Sequence, residues 1–495
     1  MGVLLRPRGR RARVTDALTP AEFAAAGHEV IDWIARYLRE IDQYPVLSRV
    51  TPGEVRSHLP SSPPTAPATW SEIFSDFEQH VLPGMTHWNH PGFFAYFAIT
   101  GSAPGILAEL LTAALNVNAM LWKTSPAATE LEQLALDWLR QLVGLSPGWF
   151  GITTDTASIS SMLALAAARE RRPELEIRQR GMAGRTDVPT MRVYCSEHAH
   201  SSIDKAAIAL GLGADNVVHI PFDAAYRMRA DALSDAIAAD RARGMLPLAV
   251  VATVGTTSTT SIDPVPAIAE VCRQHDVWLH VDGAYAGVAA MVPELRHIMA
   301  GVDQADSLVM NPHKWLFTPV DCSALYTRHP QVLKRAFALV PDYLVTSVGD
   351  EAVDFMNYGV QLGHRFRALK LWTVMRAFGS DGLASVLRQH CALATKFATW
   401  VEAQPHWQVI APVPLSVVCF RYTPPGASPE EADSLNMAIL DRVNCTGRVY
   451  LSHTKLGGRV ILRLAIGNVR TDESHVAEAW RLLLDAASQV TVIQQ

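Results

Sequence analysis

The sequence predicts an α/β fold built on a mostly parallel sheet, and three observations predict it. Short apolar runs alternate with helix-like stretches from about residue 104 to 330, the pattern of strands joined by covering helices. Of the 495 residues, 49% are hydrophobic and 18% charged, a balance that supports a large buried core and excludes a disordered chain. Two of the apolar runs are followed by reactive side chains, Asp282 at once and Lys314 a few residues on, where ligands meet the carboxyl ends of such strands.

The elements follow in chain order. Residues 1–18 form a basic leader, with five arginines in 6–13 and no apolar signal core behind them; this reads as solvated chain rather than a secretion signal. Thr19-Pro20-Ala21-Glu22 is a capping box with proline at the first helical position. Phe23, Val30, Ile34, Leu38 and Ile41 continue it as one apolar stripe. Residues 60–68 (PSSPPTAPA) suit only a linker. Together 19–103 form an N-terminal helical segment that wants a partner surface. A large α/β domain is expected over 104–389, with strands at 192–195, 216–220, 247–253, 277–281 and 307–310. Helices are expected near 156–171, 201–212, 230–243 and 263–275. The remainder, 390–495, reads as a small α+β domain ending in a surface helix over 471–487.

Several function classes fall away at once. A net charge of −5, from 43 Lys+Arg against 48 Asp+Glu, is wrong for a chain devoted to nucleic acid. No apolar run is long enough to span a bilayer. The six cysteines at 195, 272, 322, 391, 419 and 445 include no C-x-x-C pair, so neither a disulfide framework nor a zinc site is expected. No metal is expected at all, and a reducing cytoplasm fits best.

The chemistry concentrates in a few segments. In VWLHVDGAYAG (277–287) an apolar strand runs into Asp282; taken alone, an Asp there is also a common helix cap or turn residue. In MNPHKW (310–315) Lys314 is flanked by His313 and Trp315. Desolvation would lower its pKa and give a nucleophilic amine, whereas the plain alternative is a snorkelling side chain. A carboxylate and an activated lysine at two strand ends of one sheet are what pyridoxal phosphate requires: the amine holds the aldehyde and the Asp keeps the pyridine nitrogen protonated. TTDTASISS (153–161) leads small and hydroxyl side chains into a helix and suits a phosphate cradle, or an ordinary N-cap. SEHAHSSIDK (196–205) adds His198 and His200, either of which could stack on a cofactor or be structural.

HVDGAYAG, NPHKW, SEHAHSS and HWNHPGFFAYF occur in order over essentially the whole chain, about 20 to 490. In this they resemble the group II pyridoxal-phosphate-dependent amino acid decarboxylases, closest to the aromatic-L-amino-acid branch. The resemblance implies a fold-type I enzyme with pyridoxal 5'-phosphate as cofactor. Lys314 would be the Schiff-base lysine, Asp282 the pyridinium partner, and His200 and Ala284 the groups on the two ring faces. Ala157 and Ser158 match the phosphate positions, while Asn311, His313 and Thr257 match further cofactor contacts. Leu362 and Gly363 resemble a segment that reaches the site from a second subunit, so a homodimer with shared sites is implied.

Tyr343, in VPDYLVTS, matches a mobile-loop tyrosine that reprotonates the substrate Cα and so yields an amine; relatives with phenylalanine there release an aldehyde. A phenol has a proton to give and benzene has none. Trp88, Tyr96, Phe97 and Ile99 match positions lining a pocket for an L-aromatic amino acid, and the WNHPGFFAYF segment carries no Lys or Arg for an acidic substrate. Departures from the animal pattern bear on the substrate: Ala98-Ile99 replaces Pro-Thr, Asn118 and Met120 replace a β-branched and an aromatic residue, and Asp155 replaces a glycine in the phosphate loop. The expected activity is decarboxylation of tyrosine, tryptophan, phenylalanine or dihydroxyphenylalanine, with a small-molecule substrate, no nucleic acid and no membrane. The rivals are an aldehyde synthase, a decarboxylase of a non-aromatic amino acid, a transaminase and a cofactor-free binding protein.

Overall fold

The computed structural model describes residues 17–339 and 352–493. Tyr343 and most of the basic leader lie outside these residues. Contacts between Cα atoms group the chain into two compact units, 1–90 and 91–495.

The first unit is helical. Its main helix, Pro20–Arg39, starts as the sequence dictates: Glu22 N–H donates to Thr19 Oγ1 (3.3 Å) and Thr19 N–H to the Glu22 carboxylate (2.7 Å). A shorter helix, Trp70–Asp76, uses the same device with Thr69 and Glu72. Aromatic contacts hold the unit together, Trp33 stacking on Tyr37 at 5.2 Å and meeting Phe77 edge-on at 5.3 Å. Residues 60–68 contain neither helix nor strand.

The second unit is organised by a seven-stranded sheet: β1 (Phe150–Thr154), β2 (Met191–Ser196), β3 (Val217–Ile220), β4 (Leu246–Thr253), β5 (Trp278–Asp282), β6 (Ser307–Met310) and β7 (Ser323–Thr327). The spatial order is β1-β7-β6-β5-β4-β2-β3. Only β7 is reversed, pairing antiparallel with both β1 and β6. β4 reads LPLAVVAT and is buried along nearly its whole length, as expected of a parallel strand covered on both faces. Helices Ala157–Glu170, Ser202–Ala209, Ala230–Ala242 and Val265–His275 supply the cover.

Five strands and four helices therefore fall where the apolar pattern puts them, and the fold class is the expected one. β1 and β7 are additions. Their apolar runs are interrupted by Thr153, Thr154 and Ser323, which weakens the sequence signal. The structure satisfies two of these hydroxyls internally: Ser160 Oγ lies 2.7 Å from Thr154 Oγ1 and 3.1 Å from Ser323 Oγ.

A second, antiparallel sheet orders β8 (Trp407–Val409), β9 (Val417–Tyr422), β10 (Ser452–Leu456) and β11 (Arg459–Ala465) as β10-β11-β9-β8. Helices Pro429–Cys445 and Glu473–Ile493 pack with it. The long helix Ala368–Ala403 serves both sheets. Leu371, Val374, Leu383 and Leu387 belong to the core of the large sheet, whereas Leu393, Ala394, Phe397 and Val401 belong to that of the small one. Gly379, at φ +67°, marks a kink in the helix. Among the described residues, no helix is long and apolar enough to cross a membrane.

Candidate active site

Sheet register brings the reactive segments together. Thr253 at the end of β4 is opposite Asp282 at the end of β5, and Asp282 is opposite Val309 of β6. The loops leaving these strands meet as one rim. Asn311 N–H donates to Ala284 O (3.0 Å) and Gly283 N–H to Val309 O (3.0 Å). A cavity of about 180 Å³ opens there. Ten of the site residues expected from the sequence line it: Phe97, Ala157, Ser158, His200, Thr257, Asp282, Ala284, Asn311, His313 and Lys314.

Lys314 sits in the short helical turn Pro312–Trp315 after β6. It is half-buried, with Nζ 5.3 Å from the centroid of the Phe97 ring. Burial lowers its pKa; Asp282 opposes that shift, and the Arg463 guanidinium adds to it. The amine is thereby biased toward the neutral, nucleophilic form. Asp282 is buried and accepts a hydrogen bond from Ala284 N–H (3.0 Å), which fixes its carboxylate. His313 is buried, its Nδ1 accepting from Cys322 N–H (2.9 Å), and its pKa is pushed down to about 3 by burial and then by Lys314. His200 accepts from Ser202 N–H at Nδ1 (3.1 Å); partial burial and Lys314 lower its pKa as well. Both imidazoles are thus neutral beside the lysine.

The phosphate loop is formed by the end of β1 and the start of the Ala157–Glu170 helix. Among the described residues no side chain caps that helix at Thr156, so the first-turn amides of Ala157 and Ser158 are open to an anion. Asp155, an unexpected carboxylate in this loop, turns onto the backbone and accepts from Thr156 N–H at 2.7 Å. Across the cavity Gly255 has φ +90°, and a Cβ there would stand 2.6 Å from the Ala286 Cβ. That position takes only glycine.

The residues present fit pyridoxal phosphate on the structure's own chemistry. An amine of lowered pKa suits the aldehyde, a fixed carboxylate suits the ring nitrogen, and uncapped helix amides suit the phosphate. Two buried oxygens among the lining residues, Thr253 Oγ1 and Asn311 Oδ1, lack a hydrogen-bond partner among the described residues, as expected of groups waiting for a polar ligand.

Of the other expected site residues, Tyr96, Ile99, Leu362 and Gly363 do not line this cavity. Tyr96 is 52% exposed and turns its phenol to that of Tyr450 (3.0 Å). Ile99 is half-buried and does not line the cavity. Leu362 and Gly363 are exposed, also away from it. Asn118 anchors the segment that follows them, its Oδ1 accepting from His364 N–H (2.9 Å). Trp88 belongs to the first unit. Tyr343 lies outside the described residues.

Tyr285 and Arg463 are among the residues at the site that were not anticipated, as are Thr253 and Gly255. Tyr285 stacks between Phe97 (3.8 Å) and Trp315 (4.7 Å) and so braces the wall beside Lys314. Arg463 of β11 is buried, with its guanidinium 4.8 Å from the Phe97 centroid. Its Nε donates to Ser258 O (3.0 Å) and its Nη1 to Tyr96 O, while Nη2 has no partner among the described residues. The one available sequence signal was an arginine inside an otherwise apolar strand, RVILRLA.

Comparison with known proteins agrees with this geometry. A family model described as the pyridoxal-dependent decarboxylase conserved domain matches residues 52–423. The chain is 39% identical over 475 residues to tryptophan decarboxylase 2 of Oryza sativa subsp. japonica, covering 94% of each chain. It is 37% identical over 496 residues to a phenylacetaldehyde synthase of a Rosa hybrid cultivar, covering 97% of this chain and 96% of that one. The crystal structure of Oryza sativa TDC with PLP and tryptamine matches with a TM-score of 0.92 at 36% identity, covering 96% of this chain and 99% of that one. With Lys314, Asp282 and an uncapped helix N-terminus around one cavity, the chain belongs to the pyridoxal-dependent decarboxylase family and is an amino acid decarboxylase with pyridoxal 5'-phosphate as its cofactor.

Proposed function

We propose that the enzyme decarboxylates an L-aromatic amino acid to its arylalkylamine and carbon dioxide. The observation that carries the substrate class is the aromatic wall beside the nucleophile: Phe97, braced by Tyr285, faces Lys314 Nζ at 5.3 Å. A flat apolar side chain is the natural occupant of such a wall. The name of the rice relative, a tryptophan decarboxylase, supports the same class.

The roles divide as follows. Pyridoxal phosphate, when bound, supplies the electron sink for the pair released from the Cα–carboxylate bond. Lys314 would hold the cofactor covalently through its neutral amine. The carboxylate of Asp282 would keep a proton on the pyridine nitrogen, and the amides of Ala157 and Ser158 would bind the phosphate. Thr257, Ala284, Asn311 and His313 would complete the cofactor's surroundings, with His200 offering a neutral flat face. Tyr343 would return a proton to Cα, and the 336–350 segment would exclude water.

Further assignments belong to the same proposal. Leu107, Leu110, Leu111 and Leu115 are 52–59% exposed along one face of the Ala103–Leu115 helix, an apolar stripe that suits a second copy of the chain. Leu362 and Gly363 would reach that copy's site, and Trp88, Tyr96 and Ile99 would shape the substrate's surroundings. The change of core between Leu387 and Leu393 supports a division near 389 between a large domain over 104–389 and a small one over 390–495. A helical segment over 19–103 and a leader over 1–18 would precede them. A cytoplasmic location fits six cysteines that form no disulfide among the described residues.

A second reading has a specific basis, since one relative is named a phenylacetaldehyde synthase. The test is product analysis of the holoenzyme with a panel of L-amino acids. Amine with stoichiometric carbon dioxide from an aromatic member is expected. Aldehyde, ammonia and peroxide would replace the reaction, and turnover of acidic or small aliphatic members alone would remove the aromatic assignment.

A further inference from the structure

Tyr96 carries an unusual backbone. Its φ is +52°, in the left-handed region that a bulky side chain rarely enters. The next residue is Phe97, whose ring forms the cavity wall beside Lys314. The direction in which the chain leaves Tyr96 therefore sets where that wall stands.

The C-terminal sheet and Tyr450, just ahead of its strand β10, hold Tyr96 at three separate atoms. Tyr96 N–H donates to Ser452 Oγ at 3.2 Å. Its carbonyl accepts from Arg463 Nη1. Its phenol lies 3.0 Å from the phenol of Tyr450, the rings meeting edge-on at 6.0 Å between centroids. Tyr450 is itself fixed. Its N–H donates to Gly92 O (3.0 Å), its carbonyl accepts from Phe94 N–H (2.8 Å), and its ring meets that of Phe93 edge-on at 5.5 Å. Burial, and then the bond to Tyr96, push the Tyr450 phenol up to about 12, so it is a neutral hydrogen-bonding group under ordinary conditions.

We propose that Tyr450 is a positioning residue for substrate recognition: its phenol, acting with Ser452 and Arg463, holds Tyr96 in the left-handed conformation that places the Phe97 ring in the cavity. The proposal rests on the assignment of the cavity as the amino acid site, but not on which amino acid occupies it. Tyr450 sits outside the lining of the cavity and acts through Tyr96. Its loss therefore loosens the wall without removing a group from the chemistry, and the effect falls on binding more than on turnover.

The test uses the holoenzyme and whichever amino acid of the panel it decarboxylates. Tyr450→Phe keeps the ring contacts with Phe93 and Tyr96 and removes one hydroxyl. KM, and the inhibition constant of the unreactive analogue 3-phenylpropionate, are expected to rise about three- to tenfold, with a smaller change in kcat. Cofactor absorbance and Tm are expected to stay those of the parent. Tyr96→Phe removes the other half of the pair, and the double variant is expected to be no weaker than either single one. Unchanged KM in both single variants, additive effects in the double variant, or a rise in KM that comes only with loss of cofactor or of Tm would each overturn the proposal. Should Tyr450→Phe not fold, Tyr96→Phe alone carries the same expectation. Failure of every aromatic amino acid with turnover of another would sink the proposed substrate and leave the KM comparison, made with that other amino acid, intact.

Discussion

Phe97 stacks on Tyr285 with ring centroids 3.8 Å apart and planes 17° from parallel. The stack continues to Trp315 at 4.7 Å, the residue after Lys314, so the aromatic wall and the nucleophile share one support. A leucine at 97 would keep apolar burial but lose the ring face. Phe97→Leu is expected to lower the ratio of kcat/KM for aromatic over aliphatic substrates by about three- to tenfold, the worth of one aromatic pair. Parallel assays on both substrate classes decide it, and an unchanged ratio would mean that the wall does not select the ring.

Asp282 is fixed by its bond from Ala284 N–H and by its place at the end of β5. Asparagine would keep the shape and the hydrogen bond but carry no charge to stabilise a proton on the cofactor ring. Asp282→Asn is expected to reduce kcat by roughly 10²–10³-fold, the usual cost of removing one preorganised electrostatic group. Weaker retention of the cofactor on dialysis, followed by absorbance, should accompany it. A variant with near-parental kcat would refute the assigned role.

What the sequence made legible is local. Asp282 and Lys314 could be read because each follows an apolar run within a few residues, and a parallel sheet places the ends of such runs side by side. The helix start within 153–161 could be read because a helix N-terminus has a short signature, whereas Ala157 and Ser158 were singled out by the family resemblance. Tyr285 and Arg463 could not, since their roles arise only when distant segments pack. Arg463 enters from β11 to reach a carbonyl at Tyr96 and a ring at Phe97, and no spacing in the chain encodes that meeting. β1 and β7 were obscured for a different reason: hydroxyl side chains broke their apolar pattern, and the partners that satisfy them lie on other elements.

Lys314 couples the site to pH through stability. Its pKa in the folded protein is below the ordinary lysine value of 10.5, so the unfolded chain binds the extra proton over the interval between the two. Stability of the cofactor-free protein therefore rises with pH across that interval. Lys314→Met is expected to raise Tm of the apoprotein at pH 7, with the advantage shrinking as pH approaches 10.5. Thermal unfolding of parent and variant from pH 7 to 10 checks the sign, and a constant difference would contradict it.

His280 offers the complementary case on the acid side. It is fully buried in β5, two residues before Asp282, with Nδ1 2.9 Å from Ser307 Oγ and Nε2 3.1 Å from Ser161 Oγ. Burial pushes its pKa down to about 4 from the ordinary 6.5, against the pull of Asp282. Between those values the unfolded chain holds a proton that the folded one lacks, so stability is full above 6.5 and falls as pH drops toward 4. The loss attributable to this one group is about 3 kcal/mol. His280→Gln retains polar contact with both serines but cannot titrate. Its denaturation midpoint is expected to vary less than the parent's between pH 6.5 and 4, as read from urea unfolding. Equal slopes for the two proteins would mean that His280 is protonated in the fold, and that the strand behind Asp282 carries a charge this geometry does not predict.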